Sequence, residues 1–444
     1  MRASDVRTLI ESHNGNTAAA AVDVLHLAGL VDASGRRYRD AGGNPTLRDP
    51  VDGQGRPVPR MKPSEFSLRA LSEGMLGESG VENYLKPDLV RRVADLVESQ
   101  GRDVLEDNGA GAVLPSAFAN INAFTAATAG LMEVSILEGW QAPEFIADTL
   151  APVEATRMFE GRKTIGATRI GDLAEERLPG MPTKRVQIGE RWIEQPRTVE
   201  NSLACEVTQE AIYLDLTGQI PDYVEQANGV GEWLGYRKEL RVIDAFIGVT
   251  NTYKYKGTAY NTYIAAGYYD NDFSNDLQSI DNVLAAEVKF RDMKDPDTNT
   301  RVMIRPDTVL VQKEREYFAR MIFGGNDAQF RSDPTAGSGA VQKIVSGPNP
   351  VRQGTNYTVL QSPLVFERIN ASTGLNVSAS NAAKYWWMFQ KGWLRYAQNM
   401  PLRVQTAAPN SIDMIDRGVV LYAKADERGV PYVKEPRKVV RCKS

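Results

Sequence analysis

Apolar residues recur at helical spacing between Ala117 and Leu137, where Phe118, Ile121, Phe124, Ala127 and Leu131 fall on one helix face. A second stripe, made by Val224, Ala227, Val230, Leu234, Leu240, Ile243 and Ile247, follows Pro221 and Asp222. Proline lacks the N–H that a first helical turn leaves unpaired, and an early carboxylate suits the helix dipole. The spacing therefore predicts a long helix from Pro221 to about Ile247, with Gly248 placed to end it. Gly229, Gly231 and Gly235 inside it predict a bend or the close approach of another backbone. Shorter helices are predicted at Leu277–Arg291 and Glu314–Phe323, the latter stopped by Gly324 and Gly325.

Elsewhere the pattern turns to alternation and short apolar runs. Lys163–Ile170, Lys184–Ile193 and Thr198–Val207 read as strands. The first two are joined by a long polar connection containing the turn-rich Glu176–Pro182, which suggests an extended hairpin reaching away from a compact body. Thr308–Val311, Gln342–Val345, Tyr357–Leu360, Tyr385–Phe389, Leu394–Tyr396, Val419–Ala423 and Val439–Arg441 are rich in β-branched and aromatic residues and read as strands or their flanks. A Tyr- and Asn-rich loop is predicted at Asn251–Asp272 and a turn at Asp295–Asn299. The class is α+β. Residues 1 to about 110 differ: Val6–Leu30, Leu68–Met75 and Pro87–Val104 have helical spacing, whereas Gly35–Ser67, broken by Gly, Pro and Arg, reads as linker. They form a helical extension, and the main body begins after the Gly-rich break Asn108–Ala112.

With 42% hydrophobic and 24% charged residues in 444, the chain can bury a substantial core. A net charge of -4 argues against a protein that wraps or slides along nucleic acid, since that requires clustered cations; weak contacts through a basic inner surface stay compatible. Nowhere do about 18 uncharged apolar residues run together, so no membrane span is expected. The start of the chain, Met1-Arg2-Ala3-Ser4-Asp5, carries no targeting signal, and synthesis in a cytoplasm is expected. Cys205 and Cys442 are too few and too far apart for a disulfide framework or a metal site. Both histidines, His13 and His26, lie in the extension, so the body lacks the commonest general base and zinc ligand. Ser-His-Asp, Cys-His and zinc-protease chemistry are thereby excluded from it.

The remaining motifs are read as structural. Gly229-Val230-Gly231-Glu232-Trp233-Leu234-Gly235 resembles a dinucleotide fingerprint, but it lies inside a helix pattern with no strand before it. Gly324-Gly325 and Ala336-Gly337-Ser338-Gly339 lack the Lys-Ser/Thr ending of a phosphate loop. Tyr385-Trp386-Trp387-Met388-Phe389, continued by Trp393 and Tyr396, either stacks bases or belongs to a core or subunit interface. Tyr253-Lys254-Tyr255-Lys256-Gly257-Thr258-Ala259-Tyr260 either contacts nucleic acid or another subunit. The scattered carboxylates define no acid–base pair. No catalytic, cofactor-binding or metal-binding residue is assigned, and no cofactor is expected.

The order of segments over residues 110–444 resembles the tailed-bacteriophage major capsid proteins of the Hong Kong 97 fold. Ala117-Phe118-Ala119-Asn120-Ile121 and Ala142-Pro143-Glu144-Phe145-Ile146 are similar to the N-terminal arm of such subunits, and Gly161–Thr198 to their extended loop. Val207–Asp215 resembles the entry to the spine helix, for which Pro221–Ile247 is the candidate. Gly248–Tyr263 is the most distinctive match, and Asp416–Leu421, Gly429-Val430 and Pro436–Arg441 resemble the closing strands.

The resemblance implies an arm at 111–160, an extended loop at 161–200, a peripheral domain with the spine helix at 201–250, a mainly axial domain at 251–380 and closing peripheral strands at 381–444. Residues 1–110 would be the helical extension, either scaffold-like and cleaved during maturation or kept in the shell. It further implies a non-enzymatic major capsid protein that self-assembles through pentamers and hexamers into an icosahedral head around double-stranded DNA. Its partners would be copies of itself, scaffold, maturation protease, portal and decoration proteins, and packaged DNA. Assembly would occur in the bacterial host cytoplasm, with the virion capsid as final location. The alternatives are an encapsulin-like nanocompartment shell and, remotely, a carboxylate-dependent enzyme. Lys163 and Lys184 in the loop give no basis for a covalent crosslink.

Overall fold

The computed structural model describes residues 3–13, 16–39, 45–51, 56–62, 75, 114–141, 145–161, 163–165, 179, 192–208, 223–267, 269–294, 301–325, 327–332, 343–349, 351, 356–407 and 419–443. The expected helix Pro87–Val104, all of Leu68–Met75 except Met75, the turn Asp295–Asn299 and the Ala336–Gly339 loop lie outside them. The described chain is mixed α+β and falls into two compact units. One comprises Met1–Ala142, Glu200–Tyr236 and Met400–Arg428; the other comprises Pro143–Val199, Arg237–Asn399 and Gly429–Ser444.

The first unit is built around the helix Leu114–Trp140, rich in apolar residues and with two charged ones, as the spacing from Ala117 to Leu137 predicts. The N-terminal helix Thr17–Leu27 packs along it and begins at Asn16, whose Oδ1 accepts from the N–H groups of Ala18 and Ala19. Their shared core takes in Val24, Leu131, Ile136, Ala227 and Leu402. In the long helix Tyr223–Ile247 the glycines divide in role. A methyl at Gly231 would come within 1.9 Å of the Ile136 carbonyl oxygen, and one at Gly139 within 2.2 Å of the Asn228 carbonyl, so both permit close backbone approach. Gly229 has open space around it.

The second unit centres on a five-stranded sheet in the order Thr358–Gln361, Thr308–Val311, Trp386–Phe389, Val439–Lys443, Asp272–Ser274. The outer pairs are parallel and the two inner pairs antiparallel. Thr308–Val311 and Trp386–Phe389 are buried at every residue, which is why they read as continuous apolar runs and not as alternation. On one face Trp387 and Phe389 meet Phe246 edge-on, with ring centroids 5.7 and 5.3 Å apart. The helices Ile280–Asp292 and Lys313–Gly324 bury Val283, Ala286, Phe290, Ala319, Ile322 and Phe323 in the same core.

Several boundaries differ from the sequence reading. The helix expected from Leu277 starts at Ile280, because Ser279 and Asn282 form a reciprocal capping box; Leu277 is instead a buried core residue. Val419–Ala423 and Leu394–Tyr396 are only the starts of the strands Val419–Val433 and Leu394–Ala407. Among the elements that were not expected are the helix Pro363–Asn370 and the strand Asp327–Ser332, which pairs antiparallel with Lys343–Pro348. Tyr385 precedes its predicted strand, which begins at Trp386.

Candidate functional site

No catalytic or ligand residue was assigned from sequence, so the motifs weighed there are the first places to look. The aromatic run resolves to core: Trp386, Trp387, Trp393 and Tyr396 are fully buried. None of these rings is free to stack a base. Of the basic–aromatic segment Tyr253 is buried and Tyr255 and Tyr260 are half-buried; farther along the Tyr- and Asn-rich loop Tyr263 and Tyr269 are buried too, Tyr263 donates its hydroxyl to the Phe246 carbonyl at 2.5 Å, and burial pushes the phenols of Tyr253, Tyr263 and Tyr269 above their ordinary pKa. What read as an open loop contains a tight hairpin, Lys254–Tyr255 with Thr258–Ala259. Lys256 and Gly257 turn it with φ of 49° and 83°, the left-handed pair that suits the twist of a two-residue hairpin.

That small hairpin supports a larger one. Lys163–Ile165 pairs antiparallel with Trp192–Glu194, and Ile193 pairs in turn with Tyr255. Ile193 anchors the assembly in the core, while the Lys163 ammonium sits 4.0 Å from the centre of the Trp192 ring. The four short strands make one sheet, and residues 166–191 connect Lys163–Ile165 at its edge to the adjacent Trp192–Glu194. Apart from Pro179, that connection, including Lys184, lies outside the described residues. Just before it, Met158 and Phe159 are exposed.

A second surface was missed by the sequence reading. On Lys313–Gly324, Tyr317 and Met321 are 69% and 57% exposed, with Phe318 beside them, while the opposite face of the helix fills the core. These exposed apolar side chains stand among the charges of Lys313, Glu316 and Arg320 on an otherwise amphipathic helix. The signal was present in Tyr317-Phe318-Ala319-Arg320-Met321-Ile322-Phe323, where apolar residues exceed the width of one stripe.

Polar chemistry among the described residues does not converge on a reaction centre. Among the described residues no group of three His, Cys, Asp or Glu side chains could hold a metal ion, and no helix is long and apolar enough to cross a membrane. The perturbed carboxylates are structural: Glu239 accepts from the Ile146 and Ala147 N–H groups, and Asp272 is held by Arg441 and Lys443. Cys205 is half-buried and Cys442 buried; both thiols are unbridged, and burial raises both pKa values.

A family model described as phage capsid protein matches residues 196–441, more than half of the chain. The chain belongs to this family. Capsid proteins of this family build the shell of the viral head, so the chain is a structural virion component that assembles with copies of itself and is not an enzyme. No curated protein matches the chain. Among solved structures, the capsid of cyanophage P-SCSP1u is 13% identical, covering 66% of this chain and 86% of that one at a TM-score of 0.36. For the capsid asymmetric unit of cyanophage Pam1 the figures are 10%, 65%, 87% and 0.37. For a virus-like particle from Pyrococcus furiosus they are 11%, 70%, 98% and 0.34. Likenesses this loose carry no argument, and membership rests on the 196–441 match.

Proposed function

We propose that this capsid protein is a major head subunit of the Hong Kong 97 type, closing an icosahedral shell of pentamers and hexamers around a double-stranded DNA genome. The antiparallel pairing of Lys163–Ile165 with Trp192–Glu194 carries the reading. An extended hairpin rising from this base, as the resemblance implies for residues 161–200, would be marginal in water unless a neighbour covered it. In this reading residues 111–160 are the arm, 161–200 the extended loop, 201–250 with 381–444 the peripheral domain, and 251–380 the axial domain. Heterologous contacts that close into rings suit such a subunit, and many weak repeated contacts sum to a stable shell. Scaffold, protease, portal and decoration proteins, weak contacts with packaged DNA, and assembly in a bacterial cytoplasm belong to the same reading.

Electron microscopy of the purified protein tests it. Pentamers, hexamers or closed shells are expected, with DNA and not a protein cargo inside particles taken from cells. A species that stays monomeric across salt and crowding conditions would overturn it.

A further inference from the structure

The segment upstream of Lys62 lies wholly outside the family-matched residues 196–441, and its pattern alone leaves open whether it is a removable scaffold or part of the subunit. Three kinds of complementarity with the helix Leu114–Trp140 decide between these.

The first is apolar. Ala21, Val24, Ala28, Leu30 and Val31 are all buried, and they share one core with Ala127, Leu131, Val134 and Leu137 of that helix. The second is steric. A methyl at Gly130 would come within 2.4 Å of the Leu25 side chain, so the helix is notched where Leu25 lies. The third is ionic. The helix carries only two ionisable side chains, Glu133 and Glu138, and each is met by an arginine of the segment. Arg37 reaches Glu133 at 2.7 Å and Arg60 reaches Glu138 at 2.8 Å. Glu133 is 4% exposed; burial pushes its carboxyl up, and Arg37 and Arg39 oppose that.

The segment is also tied to itself. The Arg48 N–H donates to the Gly29 carbonyl and the Met61 N–H to the Leu27 carbonyl, which folds the stretch after the helix Thr17–Leu27 back onto it. Both histidines of the chain serve the same end: His13 bonds Asp23 at 2.6 Å and His26 bonds the Val31 carbonyl at 2.9 Å.

We infer that the described residues between Ala3 and Lys62 are a permanent intramolecular cover of the Leu114–Trp140 helix, occupying the face that another molecule would otherwise have to bury, and are not a scaffold removed during maturation. Removing the cover would leave an apolar face and two carboxylates without their arginines, a cost no later step in assembly offsets unless another chain replaces all three contacts.

Two measurements on the full chain test this. In purified particles, peptides spanning Thr17 to Met61 should be as abundant as peptides from 196–441; intact particles depleted of them would overturn the inference. Limited proteolysis, read on particles or free subunits alike, supplies the second. Arg60→Glu and Glu138→Arg should each make cleavage within residues 3–62 roughly fivefold faster, because a lost pair and a new like-charge contact shift the local opening equilibrium. The double variant should return to the original rate. Singles that cleave at the unmodified rate, or a double that is not rescued, would overturn it. Because the cleavage readout does not require shells, a failure of the head-subunit reading leaves this test standing.

Discussion

Asp272 and Arg441 sit opposite each other in two parallel strands and close a two-pronged ion pair, with Nε and Nη2 of Arg441 each 3.0 Å from a carboxylate oxygen. Lys443 adds a third bond at 2.6 Å. Burial pushes the Asp272 carboxyl up, but the hydrogen bonds and charges of Arg441 and Lys443 together outweigh it and hold the carboxyl below its ordinary value of 3.8. A folded value below the unfolded one means the pair stabilises fully above about pH 3.8 and loses that contribution as the pH falls through the folded value. Asp272→Asn should therefore cost about 2–4 kcal/mol near neutral pH, since it strands two cations at a partly buried site. Denaturant unfolding against pH checks this: the gap between the two proteins should begin to narrow as the pH falls below 3.8, and a gap that stays constant through further acidification contradicts the assignment.

Glu239 works in the opposite sense. It is fully buried and takes the N–H groups of Ile146 and Ala147 at 3.2 and 2.6 Å, the donors left over at the start of the short helix Ala147–Leu150. Burial raises its pKa; the two N–H bonds and Lys238 work against the rise and Asp148 adds to it. With the folded value above the unfolded 4.5, its contribution is complete below pH 4.5 and declines as the pH rises through the folded value. Glu239→Gln keeps an acceptor without the charge, so its stability should decline less over that window than the unmodified protein's. Glu239→Ala orphans both donors and should cost about 1–3 kcal/mol per donor at every pH. Melting curves at stepped pH separate the two; identical pH slopes for Gln and Glu would refute the ionisation argument.

Tyr317 and Met321 face away from the core, so Tyr317→Ser with Met321→Ser should leave subunit stability within about 0.5 kcal/mol, as expected for surface changes. If neighbours cover this face in the shell, the same change should lower shell yield several-fold. Sedimentation of the assembled fraction, beside a melting curve of the free subunit, gives both readings. Unchanged shell yield would remove this helix from the interfaces.

What could be read in advance follows from where the determining contacts lie. Thr308–Val311 and Trp386–Phe389 were legible because burial on both faces writes itself as an unbroken apolar run. Val419–Val433 was cut short at Ala423 because Lys424, Asp426, Glu427 and Arg428 look like a surface turn. Asp426 is in fact buried and held at 2.7 Å by Arg403, a partner on another strand that no local pattern announces. Asp327–Ser332 failed for a related reason: its polar residues are strand only through register with Lys343–Pro348. The strand character of Lys163–Ile165 and Trp192-Ile193 was legible in the runs Lys163–Ile170 and Lys184–Ile193, whereas the exposure of Tyr317 was not, since helical spacing places a side chain on a face without saying what covers that face.

The glycines of the long helix allow a test with opposite signs at two positions two residues apart. Both replace a flexible residue with the best helix former, which by itself favours the helix by about 0.5–1 kcal/mol. At Gly229 nothing lies within 4 Å of the added methyl, so Gly229→Ala should raise stability by about that amount. At Gly231 the methyl would collide with the Ile136 carbonyl oxygen, carbon and Cα at 1.9, 2.8 and 3.0 Å, all backbone atoms that no rotamer change can move aside. Gly231→Ala must push the helices Leu114–Trp140 and Tyr223–Ile247 apart where they meet, and should cost about 2–3 kcal/mol net. Thermal unfolding of the two single variants measures the difference directly. A Gly231→Ala protein as stable as Gly229→Ala would mean that Ile136 and Gly231 do not approach this closely.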